Sequence, residues 1–167
     1  MLGWIDMIIE SDPEVKIALY GISMGGATVM MTAGEELPSN VCAAVEDCGY
    51  TSVWDEFEEQ LKRKFRLPSF PLLNIASYIC DKQGGYDFKE ASAQKQVARC
   101  DIPMMFIHGD ADDFVPFEML DKVYESASCE KQKLVIEGAG HAMSSSVAPE
   151  LYWSEVEKFL DRHMNGI

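Results

Sequence analysis

Three short segments carry side chains able to pass a proton to and from a hydroxyl group. Gly21-Ile22-Ser23-Met24-Gly25 stands directly after the apolar run Val15-Lys16-Ile17-Ala18-Leu19-Tyr20 and directly before the small residues Gly26-Ala27-Thr28. A serine at the apex of a tight strand-to-helix turn is held in a strained backbone conformation, with glycines two residues to either side letting strand and helix approach. The following helix starts at the same place, so unpaired N–H groups and the positive end of its dipole lie where an oxyanion would form. Chance alone places G-x-S-x-G in roughly one chain of this length in twenty. Its context makes it informative.

The second segment, Ile107-His108-Gly109-Asp110-Ala111-Asp112-Asp113-Phe114-Val115-Pro116, sends the carboxyl end of an apolar strand into a loop with three carboxylates. An acid there would accept a hydrogen bond from the far N–H of an imidazole, fixing its tautomer and steadying its developing charge. Asp112 is the first choice, Asp113 the nearer competitor and Asp110 the third. The run lacks the ligand series and closing glutamate of a calcium loop, so no metal is expected. The third segment, Glu137-Gly138-Ala139-Gly140-His141-Ala142, puts a histidine in a glycine-flanked loop after another strand. Of the three histidines, His141 is the base candidate. His163 reads as a surface or packing residue in the last turn of a helix, and His108 as a group that orients the neighbouring loop.

These side chains need a frame. Short apolar runs at about 15–20, 41–46, 103–107 and 133–136 read as buried parallel strands. Helical patterns fall at 2–10 and near 24–36, 54–65, 72–81, 117–127 and 149–163. In the last of these Tyr152, Val156, Phe159, Leu160 and His163 share one face, as expected of a closing helix on the sheet. The gap between the second and third strands is longer than a crossover needs and rich in aromatic residues, among them Trp54, Phe57, Phe65, Phe70, Tyr78, Tyr86 and Phe88. Residues 54–95 therefore read as a helical cap or lid over the carboxyl ends of the strands, where ligands bind in open α/β sheets.

Composition narrows the partners. A length of 167 residues fits one domain with a sizeable core. Fourteen basic against 28 acidic side chains give a net charge of −14, which repels phosphate backbones and anionic membrane surfaces, so neither nucleic acid nor membrane is an expected partner. Five cysteines without a C-x-x-C pair argue against a disulfide framework or a zinc cluster and for a reducing, cytoplasmic setting. No stretch has the pattern of a secretory signal or the length of a membrane span.

Ser23, then Asp112, then His141, each after its own strand, resembles the alpha/beta-hydrolase family, whose chain order is Ser, Asp/Glu, His. The H-G-D-A-D-D-x-V-P and G-A-G-H segments are similar to those of serine hydrolases related to the prolyl oligopeptidase and serine aminopeptidase groups. The resemblance spans essentially all of residues 1–167. It implies an α/β fold with a mostly parallel sheet and flanking helices. It also implies a serine hydrolase working through an acyl-enzyme, with Ser23 as nucleophile, His141 as base, Asp112 as its orienting acid and the Met24 N–H as one oxyanion donor. No cofactor is needed. A carboxylesterase is expected, since the aromatic-rich segment suits an apolar acyl or aryl group. A peptidase and a non-catalytic hydrolase fragment are the alternatives.

The pattern departs from the family in one respect. One helix precedes Val15 where the family has several strands, one of whose loops supplies the other oxyanion N–H. The expectation is the carboxyl-terminal portion of a longer hydrolase, with the edge of strand 15–20 exposed and available for pairing into a homo-oligomer.

Overall fold

Successive residues of the apolar runs face opposite sides of a single sheet, and helices fill both faces. The computed structural model describes residues 1–165. Its strands are β1 (Ile17–Ile22), β2 (Val41–Asp47), β3 (Met104–Gly109) and β4 (Lys131–Ile136), all parallel and in the order β1-β2-β3-β4. Each begins or ends within about two residues of the run that predicted it. Parallel neighbours require crossover connections, and the helical segments supply them.

On one face lie α1 (Leu2–Ser11), α2 (Met24–Ala33), α5 (Ala93–Val97) and α6 (Glu118–Ser126). Ile5, Val29, Met30, Val97, Phe106 and Leu120 meet there in one buried cluster. The other face is covered by α8 (Pro149–Met164), whose Tyr152, Val156 and Phe159 pack on Val45, Ile107 and Ile136. Period two sorts Met104 and Phe106 to the first face and Met105 and Ile107 to the second. Along β2 the alternation slips once, at a bulge where Ile17 pairs with Val41 but Ala18 with Ala43. Val41 and Ala44 thereby share a face.

Between β2 and β3 run α3 (Val53–Gln60), a π-helical turn (Leu61–Phe65), α4 (Leu72–Gly84) and then α5. Ser52 caps α3 by accepting from the Asp55 N–H at 3.0 Å, and Ser92 caps α5 from the Lys95 N–H at 3.3 Å. Two short helices, α5 and α7 (Ser144–Val147), are absent from the sequence reading, because four or five residues cannot display a 3.6-residue period. No helix among the described residues is long and apolar enough to cross a membrane.

Candidate active site

Ser23 sits at the junction of β1 and α2 with φ 56° and ψ −117°, a backbone conformation that a non-glycine residue adopts only under constraint. Its N–H donates to the carbonyl of Asp47 at 2.8 Å, tying the turn to the end of β2. Gly21 is required here because a Cβ would lie 2.2 Å from the carbonyl oxygen of Gly25. The structure corrects the expected symmetry of the motif. A Cβ on Gly25 would meet nothing within 4 Å, and the close approach to β2 falls to Gly26, whose Cβ would lie 3.1 Å from the carbonyl of Asp47.

The three segments converge at the carboxyl ends of the strands. Ser23 Oγ lies 2.8 Å from His141 Nε2, and His141 Nδ1 lies 2.8 Å from Asp112 Oδ2. Two other non-glycine residues of positive φ flank this line, Cys48 at 49° and Ala142 at 57°. The imidazole is held from behind by the Phe114 ring, 4.8 Å away between centroids, and Lys64 Nζ sits 4.2 Å from that same ring.

The acidic loop separates its three carboxylates by task. Asp110 Oδ1 accepts from the Gly138 N–H at 2.6 Å and so braces the loop that carries His141. Asp113 is exposed, and its carbonyl accepts from Arg63 Nη1 at 2.7 Å. Asp112 alone is buried. Its Oδ1 accepts from the N–H groups of Phe114 and Val115 at 2.8 and 2.9 Å, and its Oδ2 faces both His141 and His108 Nε2, the latter at 3.2 Å. Burial alone would raise the Asp112 carboxyl, but the hydrogen bonds from His108, His141 and the two backbone N–H groups outweigh it and hold it below the ordinary range.

His108 is fully buried, with Nε2 also 3.1 Å from the carbonyl of Val115, so it ties the acid to its loop as its position after the strand suggested. Burial opposes its charge, yet Asp112, the Val115 carbonyl and Glu46 together raise its pKa. Glu46, also fully buried, accepts from the Gly49 N–H at 2.9 Å and is pushed up to about 8 by burial. His163 packs in the last turn of α8, its ring 4.7 Å from Phe159.

Several supports are not singled out by the sequence. Asp47 Oδ1 accepts from Ser144 Oγ at 3.0 Å, and Tyr152, whose charge-free form the nearby Asp47 favours, has its hydroxyl 2.7 Å from that of Tyr20. This links β2, α7, α8 and β1 beneath the site. The acidic pair Glu46-Asp47 at the end of an apolar strand was the available signal. Cys48, Asp112 and His141 bring potential metal ligands within 4.8 Å of one another. Burial, with Asp47 nearby, pushes the Cys48 thiol up to about 12.

Residues 11–166 match the prolyl oligopeptidase family, which accounts for nearly all of the chain. The chain belongs to the prolyl oligopeptidase family. Among curated proteins it is 31% identical over 145 residues to the uncharacterised YqkD of Bacillus subtilis (strain 168), a match covering 87% of this chain and 48% of that one. The chain thus spans about half the length of this relative. Among solved structures, an acylaminoacyl peptidase of Pyrococcus horikoshii superposes with a TM-score of 0.72 at 15% identity, over 95% of this chain and 26% of that one. An esterase of Pyrococcus furiosus gives 0.70 at 22% identity, over 96% and 59%. At these identities the structures show the fold alone, the alpha/beta-hydrolase arrangement expected from the order of the motifs.

Proposed function

We propose that the chain is a serine hydrolase that cleaves carboxylic esters by acyl transfer through Ser23. The observation that carries this reading is the unbroken line from Ser23 Oγ through His141 to Asp112, with both contacts at 2.8 Å. The Ser23 hydroxyl donates to His141 Nε2. As Oγ attacks the ester carbonyl, His141 accepts that proton and its Nδ1–H remains directed at Asp112. The tetrahedral oxyanion falls near the start of α2, where the Met24 N–H has no intrahelical acceptor and serves as one donor. Collapse breaks the carbonyl–alkoxy bond, and His141 returns the proton to the departing alcohol. Water then attacks the acyl-enzyme with His141 again as base, releasing the carboxylic acid and restoring Ser23. Residues 54–95 act as the cap over this centre.

An alkyl fluorophosphonate tests the reading directly. Stoichiometric labelling of Ser23, lost in Ser23→Ala, together with faster turnover of nitrophenyl esters than of the matching anilides, is the expected result. A folded chain that takes no label would overturn it, and preference for the anilides would replace the esterase with a peptidase.

A further inference from the structure

A groove beside Ser23 has the chemistry of an acyl-binding site, an inference that rests on the acyl-transfer reading of Ser23. Met24 opens a cavity of about 560 Å³ that follows α2 past Thr28 and Met31 and meets Tyr50, Phe57 and Phe88. The spacing of Met24, Thr28 and Met31 sets them along one face of the helix over about 10 Å. Phe57 and Phe88 also line a second cavity of about 350 Å³, whose other walls include Leu61, Phe65, Leu72 and Leu73. Their rings stand 5.0 Å apart at 59°, forming the partition shared by the two spaces.

The lining is mainly apolar, its polar groups being Thr28, Glu90 and the hydroxyls of Tyr50 and Tyr86. Thr28 engages its hydroxyl with the Met24 carbonyl at 2.7 Å. The carboxylate at the rim, Glu90, turns back toward its own loop, with Oε2 3.5 Å from the Asp87 N. Met24 is 70% exposed and Phe57 44%, so apolar surface next to the serine is left for a ligand to cover. A larger cavity, about 720 Å³ beside Leu2, Gly34 and Arg99, lies at the opposite end of the sheet from Ser23.

We infer that a linear alkyl acyl chain lies in this groove, running from the Ser23-bound carbonyl past Met24 and Met31, and that Phe57 against Phe88 sets the longest chain accepted. Two turns of helix exceed the length of one aromatic ring, and methionine side chains adapt to a bending chain. The test is a titration of straight-chain carboxylates, butanoate to dodecanoate, followed by NMR of carbon-13 methionine methyls. The net charge of −14 weakens every member alike and leaves the trend intact.

Affinity should rise about four-fold per methylene and then level off, with the Met24 and Met31 methyls shifting throughout. Phe57→Ala should move the levelling point to longer chains, and Phe57→Trp to shorter ones. Affinity independent of chain length, unmoved methionine signals, or tighter binding of phenylacetate than of octanoate would each overturn the proposal. Chain-length dependence in a protein that resists fluorophosphonate would keep the groove and remove the role of Ser23. Labelling of Ser23 without that dependence would do the reverse.

Discussion

Asp112 owes its position to four N–H groups, those of Phe114, Val115, His108 and His141. Asp112→Asn should lower Ser23 labelling about 10³–10⁴-fold at neutral pH, because the amide disrupts the imidazole tautomer while leaving the geometry. His108 acts one step further back. Removing its N–H in His108→Phe takes one of the four donors from the buried Asp112 carboxylate, so Ser23 labelling should slow. His108→Gln keeps a donor near Nε2 and should track the parent. Loss of stability with an unchanged labelling rate would reduce His108 to packing. Glu46 makes the opposite kind of statement. The folded chain keeps its proton to about pH 8, against 4.5 ordinarily, so this contribution to stability is whole below pH 4.5 and is lost as pH rises through 8. Glu46→Gln retains an acceptor for the Gly49 N–H and should be more stable than the parent at pH 9, by on the order of a few kcal/mol, as read by denaturant titration. Equal stability at that pH would place the Glu46 charge elsewhere.

At the level of elements, close approaches of backbone set the site. A Cβ on Gly109, the last residue of β3, would lie 2.1 Å from the carbonyl of Ala139, two residues before His141. Gly109→Ala should therefore cost about 1–3 kcal/mol and reduce labelling further than the stability loss explains, since the loop that must yield carries the imidazole. Gly21→Ala should disrupt the β1–α2 turn by the same kind of overlap. Gly25→Ala meets no atom within 4 Å in a helical position and should stabilise the chain by about 0.5–1 kcal/mol. Thermal unfolding of the three variants separates these outcomes. The G-x-S-x-G spacing announced a turn of this kind but not which glycine was sterically obliged, because the obligation of Gly26 comes from β2, more than fifteen residues on.

At the scale of the sheet, β1 pairs among the described residues with β2 on one side only, so it forms an edge of the four strands. Tyr20 and Ile22 remain 40% and 37% exposed there. Unpaired strand groups with apolar neighbours favour association, whereas a net charge of −14 opposes it until salt screens the repulsion. Sedimentation velocity should accordingly show self-association that grows between low and high ionic strength. A monomer at every salt and protein concentration would mean that the edge is protected.

The local sequence was enough for the four strands, the main helices, the order of the three chemical segments and the choice of Ser23 and His141 as partners to be tested. Each of these follows from nearest-neighbour patterns: apolar runs, helical periodicity and glycine-bounded turns. The ranking of Asp112 over Asp113 and Asp110 could be proposed from the sequence, but their sorting needed the fold, because burial and four converging N–H groups come from separate elements. The same holds for the Asp47–Ser144–Tyr152 support and the partition at Phe57 and Phe88, whose members are brought together only when the crossovers close. Contacts between distant segments have no local signature, so packing alone decided them.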